Sequence, residues 1–342
     1  MYMINRLKAL FRHPLFLIGF TFLLLLVVAS ITHEVFFHGK IPVTTFLRDS
    51  QGNITASGPF NLLEVPPLGT DEVGNHIFFL LIQGAKYTIG IAIIVAALRV
   101  IISAFIGMLF ANFLSKLKPY ISGLVNGFYY IPTALLCYVL LVDVIFTPHD
   151  AIEAYSFMQK AVYELIILTI VAIPTTSLLI GNQIHHIHQA EFITTAKTLG
   201  GSRLHLLRKH ILPHMMPRLF IQFTQEIVQV LILLIHLGFF HVLFGGTNEQ
   251  KLDETQSAYL SISSEWSGMV GNGFSHLSGW SWMFFDVVIA FTLVILAFNF
   301  MVKGMEDVLL EDHKVAKKDR KTKRPERTQQ ELDFTFLRAP RK

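Results

Sequence analysis

The residues best suited to chemistry lie on a stretch of the 342-residue sequence that is otherwise apolar. Gln222, Glu226 and Gln229 follow i, i+4, i+7 spacing, which places them on one face of a helix. A carboxylate at membrane depth is energetically costly and needs water or a partner. Two interpretations stay open: this face lines a path for a solute, or its side chains hydrogen-bond neighbouring helices. His236 lies further along the same stretch, where it could face such a path or be packed.

Motifs for nucleotide hydrolysis and for hydrolytic catalysis do not occur in the sequence. It has no glycine-rich loop ending in Lys-Ser or Lys-Thr, no His-Glu-x-x-His and no Gly-x-Ser-x-Gly. His185, His186 and His188 form a cluster, but no neighbouring acid or cysteine completes a metal site, so we interpret them as interfacial residues. We therefore expect no catalytic residue, no metal site and no cofactor.

Six long apolar runs must position these residues. The chain is 52% hydrophobic and only 15% charged, and each run approaches or exceeds the roughly 20 residues that a helix needs to cross a bilayer. The runs are Leu15 to Ile31, Tyr87 to Leu114 (interrupted by Arg99), Tyr120 to Phe146, Ala161 to Ile184, Leu219 to Phe244 and Trp280 to Val302. The sequence thus predicts an all-α integral membrane protein with six transmembrane helices.

Basic and acidic residues alternate between the connections, and this pattern predicts the orientation. The leader, the connection after the second run, the loop 185–217 and the tail carry the lysines and arginines, whereas the other connections carry the acids. Under the positive-inside rule, both termini and the loop 185–217 are cytoplasmic.

The same pattern divides the chain into four parts. Residues 1–32 are a cytoplasmic leader with the first transmembrane helix, and 33–76 are an extracellular loop rich in turn formers. Residues 77–303 form a core with the other five transmembrane helices. Residues 304–342 form a basic tail without apolar periodicity, which we expect to be disordered and attracted to membrane lipid.

The loop 185–217 contains two short helical patterns at a sharp turn. Phe192, Ala196 and Leu199 form an apolar stripe on a helix over residues 191 to about 199. Gly200 and Gly201 permit the positive φ that ends a helix and turns the chain. Ser202 is placed to cap a second helix, which we expect to end at Pro213.

This loop resembles the Glu-Ala-Ala loop of permease subunits in bacterial ABC importers, in its peptide-transporter form. The resemblance rests on Glu191, Ala196, Gly200 and the run Ile211 to Pro213. It extends to "PPLGTDEVGNHIFFLLIQGAKYTI" and "FTLVILAFNFMVKGMEDVL", so that it covers about residues 66 to 310. It implies the type I ABC importer permease fold, with a cytoplasmic coupling helix, in a multi-pass protein of the bacterial inner membrane.

The resemblance also implies partners and site residues. A non-catalytic permease of this family forms the path with a second permease, binds two cytoplasmic ATPase subunits and receives solute from an external binding protein; no nucleic acid is involved. The residues that it assigns to ATPase coupling are Glu191, Phe192, Ala196, Lys197, Leu199, Gly200, Gly201, Ile211, Leu212 and Pro213. Gln222, Glu226, Gln229 and His236 are the candidates for the translocation path.

The solute is open at this point. The resemblance favours dipeptides or oligopeptides, and the fifteen histidines keep nickel or a metal-chelator complex open as an alternative. An alternative of another class is a proton-coupled carrier that uses Glu226 and runs without ATPases.

Overall fold

A computed structural model describes residues 8–112, 118–147, 154–251, 257–261 and 265–310 as a bundle of helices with little sheet. In this part of the chain, four helices are long and apolar enough to cross a membrane alone, and two bent helix pairs bring the number to six. The predicted all-α membrane fold with six spans is therefore confirmed.

The helices are numbered here in chain order. They are α1 Pro14–Phe37, α2 Ile77–Asn112, α3 Lys118–Phe128, α4 Thr133–Ile145, α5 Phe157–Ile170, α6 Ile173–His188, α7 Glu191–Thr198, α8 Arg203–Leu206, α9 Leu212–Phe239, α10 Trp266–Ser275 and α11 Ser281–Leu309. The last helix ends at Leu309, so the tail expected from residue 304 begins later. Its residues from 311 onward lie outside the described ranges.

Two of the six spans are broken near a proline. The α3–α4 pair bends by 77° just before Pro132, and the α5–α6 pair bends by 41° just before Pro174. Proline has no backbone N–H to donate and is tolerated best in the first turn of a helix, where Pro174 lies. Each break leaves backbone carbonyl groups that need other donors.

The connections at one end of the bundle contain short strands. An antiparallel pair joins β1 Phe46–Arg48 to β2 Ile54–Ser57, so the segment predicted as loop includes a hairpin. A three-stranded sheet pairs β3 Phe146–Thr147 in parallel with β4 Thr247–Lys251, which pairs antiparallel with β5 Ser257–Ser261. We call this end of the bundle the strand end, and the opposite end, which carries α7, the loop end.

The apolar core is divided along the bundle. A large cluster towards the strand end joins buried side chains of α2, α4, α5, α9, α10 and α11. A smaller cluster at the loop end joins Ala104, Ile180, Ile184, Ile187, Ile193, Ile211 and Met215. A third cluster, which includes Phe16 and Met305, fastens α1 to α11. The smaller cluster is the one that carries the loop between α6 and α9.

At Gly107 the backbones of α2 and α6 approach closely. A Cβ atom at this position would lie 2.8 Å from the Ser177 carbonyl oxygen and 3.1 Å from the Gly181 backbone nitrogen. Small residues at such a crossing let membrane helices pack backbone to backbone. The contact fixes α6 against α2 between the break and the loop.

Replacing Gly107 with valine should lower the free energy of unfolding by about 1–3 kcal/mol, the usual cost of overpacking. Gly90→Val is the matched control, because Gly90 lies on the same helix and its added Cβ would meet no atom within 4 Å among the described residues. Thermal unfolding of the purified protein in detergent measures the difference. Equal shifts in the two variants would contradict the close packing at Gly107.

Candidate functional site

Helix α7 is held against the bundle by one face and exposed on another. Ile193 is fully buried in the smaller cluster, whereas Phe192 is 41% exposed and Leu199 is 83% exposed. The Phe192 ring lies 4.9 Å from the ring of His214 at the start of α9. The helix therefore has a fixed position and presents two large apolar side chains outward.

A Schellman motif ends α7. The amide of Gly200 donates to the Lys197 carbonyl, and the amide of Gly201 donates to the Ala196 carbonyl, which is the pattern of this motif. Gly200 has a φ of +85°, and a Cβ on Gly201 would lie 2.8 Å from the Ala196 oxygen. The turn thus uses both glycines, one for its backbone conformation and one for its lack of a side chain.

The second helix of the loop does not end at Pro213, and this part of the sequence interpretation is wrong. The helical backbone runs without interruption from Arg203 to Phe239. The cap at Ser202 is present, since its Oγ accepts a hydrogen bond from the His205 amide at 3.3 Å. A π-helical segment, Leu207–Ile211, directly precedes α9, and Pro213 lies in the first turn of that helix. The proline therefore lies within one continuous helical segment, Arg203 to Phe239, which we call the rod.

The other residues assigned to coupling differ in exposure. Glu191, Lys197 and Pro213 are exposed, and Ala196 and Leu212 are half-buried. Ile211 is fully buried and belongs to the smaller cluster together with Ile193. The exposed members can contact a partner, whereas Ile211 acts on the loop through packing.

Glu226 is buried and fully engaged inside the chain. Its Oε2 lies 3.2 Å from Nη1 of Arg99 on α2, and both side chains are less than a tenth exposed. Its Oε1 accepts hydrogen bonds from the Thr176 hydroxyl at 2.9 Å and from the Gln222 amide at 3.0 Å. Charged groups in a membrane are tolerated when paired in this way. This geometry corresponds to the interhelical interpretation of Glu226.

Arg99 also binds the break in the α5–α6 span. Its Nε and Nη2 donate to the Leu168 carbonyl oxygen at 2.9 and 2.6 Å. The Ala172 amide, which would bond Leu168 in a regular helix, bonds the Thr169 carbonyl instead. The sequence interpretation treated Arg99 only as an interruption of an apolar run. The signal that could have identified its role was its charge within an apolar run, because a charged side chain at membrane depth requires a partner, as Glu226 does.

The four candidates for the path separate into two groups. Gln222 and Glu226 are buried at the ion pair, whereas Gln229 and His236 are exposed and seven residues apart on α9. The structure brings Glu226 together with Arg99, Thr176 and Gln222, but not with Gln229 or His236.

One member of the histidine cluster at the end of α6 contacts another helix of the bundle. Nε2 of His188 lies 2.8 Å from Oδ1 of Asn112 at the end of α2. Across the described ranges, no three His, Cys, Asp or Glu side chains are grouped so that they could hold a metal ion.

Residues 103–310, more than half of the chain, match the family described as the binding-protein-dependent transport system inner membrane component. The chain belongs to this family. It is therefore a multi-pass membrane permease of an ABC importer. The matched range begins in α2 and includes α7, the rod and both residues that Arg99 contacts on α5 and α9.

Curated relatives agree with this assignment. The permease is 26% identical over 241 residues to the probable D,D-dipeptide transport system permease protein of Escherichia coli K12, covering 70% of this chain and 72% of that protein. It is 23% identical over 302 residues to a putative peptide transport system permease protein of Brucella abortus, covering 88% and 89%. It is 20% identical over 247 residues to the oligopeptide transport system permease protein of Bacillus subtilis, covering 70% of each.

Proposed function

We propose that this permease is the non-catalytic membrane subunit of a peptide importer driven by two separate ATPase subunits. It forms the translocation path with a second permease, and an external binding protein delivers the peptide. Both termini and α7 lie on the cytoplasmic side, as the distribution of basic residues predicts.

The construction of α7 carries this proposal. An isolated connection between two spans has no need of a helix that is anchored by Ile193 while Phe192 and Leu199 stay exposed. A short amphipathic helix with outward apolar anchors suits insertion into a groove on a partner. The exposed Lys197 adds a positive charge that can meet acids on that partner. The rod from Arg203 to Phe239 then links the docked helix directly to a span.

Peptide is the solute class that the relatives favour, since their names include D,D-dipeptide, peptide and oligopeptide transport. Gln229 and His236 are the path residues that we propose, because they are polar and exposed on α9. Amide and imidazole groups can bond the polar backbone of a peptide without adding a fixed charge. Gln222 and Glu226 would not line the path; they would hold α9 in position through the ion pair with Arg99.

A proton-coupled carrier is not favoured by the surroundings of Glu226. A carboxylate that carries protons needs to exchange its ion pair for a proton in each cycle, and this one accepts three hydrogen bonds from Arg99, Thr176 and Gln222. All three donors belong to this chain, and the buried Glu226 side chain is bound as a link between helices.

Reconstitution tests the proposal. The permease is assembled in proteoliposomes with its partner permease, both ATPases and the binding protein, and uptake of radiolabelled dialanine and pentaalanine is measured. We expect uptake that requires ATP and persists when a protonophore collapses the proton gradient. Uptake that does not require ATP and stops when the protonophore is added would contradict the proposal of an ATP-driven importer. ATP-driven uptake of a nickel chelate without peptide uptake would contradict the solute class.

A further inference from the structure

Of the three apolar clusters, the large one and the small one are separated by one polar layer. This layer consists of Arg99 on α2, Thr176 on α6, and Gln222 and Glu226 on α9. In each element it lies between members of the large and the small cluster, which are Ala96 and Ala104 on α2, Leu168 and Ile180 on the bent pair, and Ile227 and Met215 on α9. The boundary between the clusters therefore coincides with the layer on all three elements.

The layer joins the three elements by bonds that have a direction. Arg99 spans the distance between the Leu168 carbonyl at the break and the Glu226 carboxylate, and Thr176 on the other side of the break bonds the same carboxylate. Apolar burial is non-directional, so by itself it does not join one particular atom of a helix to one atom of its neighbour. A charge-assisted network holds only in a narrow range of positions. The bend of the α5–α6 span is thus fixed relative to α9.

Stability alone does not explain an ion pair at this place. Replacement of a buried ion pair by apolar groups of similar volume is often neutral or stabilising, because both charges lose their hydration on burial. The Leu168 carbonyl could also be bonded by a neutral donor. The pair instead joins two specific groups, the Leu168 carbonyl at the break and the Glu226 carboxylate on α9, through one side chain of α2. We therefore interpret the Arg99–Glu226 pair as a link that positions the break in the α5–α6 span relative to α9.

We propose that Arg99 and Glu226 are positioning residues, which make the large cluster follow the movement of the small cluster that carries α7. The inference rests on the proposed function, since it gives the route by which docking at α7 reaches the path. The small cluster holds α7 through Ile193 and the rod through Ile211 and Met215. The helix α2 and the segment from Arg203 to Phe239 run through both clusters without a break, whereas the α5–α6 span is broken between them. Without the layer, this break could take up the movement of α7, and α5 with its part of the large cluster would follow that movement less closely.

The test measures uptake and ATP hydrolysis separately in the reconstituted transporter. Glu226→Gln keeps the shape of the side chain and removes its charge, and R99Q/E226Q removes both charges so that none remains unpaired. Thr176→Val removes the hydroxyl that crosses the break. Its matched control is Thr224→Val, because Thr224 is also buried but donates only to the Phe220 carbonyl of its own helix. Co-purification of the ATPases and the thermal midpoint report assembly and folding.

We expect R99Q/E226Q to assemble with a wild-type thermal midpoint and to hydrolyse ATP within about twofold of wild type, but to transport at least about tenfold less peptide per ATP. Glu226→Gln and Thr176→Val should lower the same ratio, and Thr224→Val should not. Wild-type transport per ATP in R99Q/E226Q would overturn the inference, as would losses that only follow the amount of assembled complex. Absence of ATP-driven uptake by the wild-type complex would instead contradict the proposed function.

Discussion

Replacing Phe192 and Leu199 together with aspartate is expected to detach the ATPase subunits from this permease and to abolish ATP-driven uptake. Two apolar anchors at the centre of an interface contribute about 2 kcal/mol each, and a loss of about 4 kcal/mol weakens binding about a thousandfold. The fold should survive, because both side chains are exposed whereas Ile193 keeps α7 in place. Co-purification of the ATPases through a tag on the permease measures the loss.

Leu63→Asp is the control for this change, since Leu63 is 85% exposed like Leu199 but lies in the connection between α1 and α2, at the strand end. It should retain the ATPases and wild-type uptake. The F192D/L199D variant should also keep the wild-type thermal midpoint when purified without its partners. Retention of the ATPases by F192D/L199D would show that α7 is not the docking helix.

Replacing Gly200 with valine is expected to reduce uptake about tenfold while the six spans remain folded. A residue with a Cβ in the left-handed conformation costs about 1–2 kcal/mol, and a change of about 1.4 kcal/mol is tenfold in an equilibrium. The turn would lose the geometry that sets α7 against the rod, because the Schellman bonds to Lys197 and Ala196 depend on it. Gly200→Asn should retain most uptake, since asparagine tolerates this conformation.

Gly52→Val is the control for Gly200→Val, because it introduces the same backbone strain at a different place in the fold. Gly52 has a φ of +87° and, like Gly200, would meet no atom within 4 Å of an added Cβ among the residues described. It lies in the hairpin between β1 and β2, so the same local cost arises far from α7. Uptake by Gly52→Val should stay near wild type. Equal losses in the two valine variants would indicate general destabilisation and contradict a specific role for the turn.

Features that depend on neighbouring residues could be predicted from the sequence. The spans follow from long apolar runs, and the turn after α7 follows from the glycine pair, because helix ends are decided within a few residues. The face of α7 was harder to predict. Periodicity grouped Phe192, Ala196 and Leu199 into one stripe, but it could not show that Ile193 is the residue that faces the bundle.

Features that depend on distant residues could not be predicted. Arg99 and Glu226 are separated by 127 positions, and each charge signals only that some partner exists. Pro213 was misjudged because a proline ends a helix in isolation, whereas here the preceding π-helical segment rearranges the bonding ahead of it. The β1–β2 hairpin was missed because its strands have only three and four residues, too few for a clear alternation.

The π-helical segment Leu207–Ile211 makes the number of residues in the loop as important as their identity. A π turn contains one residue more than an α turn, and each residue of an α-helix turns the chain by about 100°. The wider turn therefore takes up one extra residue while the faces before and after it stay nearly in register. Deletion of one residue from this segment would let a regular α-helix form with little rotation, whereas a deletion elsewhere between Ser202 and Glu226 would rotate the face that carries Glu226 by about 100° relative to α7. Single-residue deletions in homologous permeases should therefore be tolerated within Leu207–Ile211 and avoided in the rest of the interval between Ser202 and Glu226, even where the residue types vary freely.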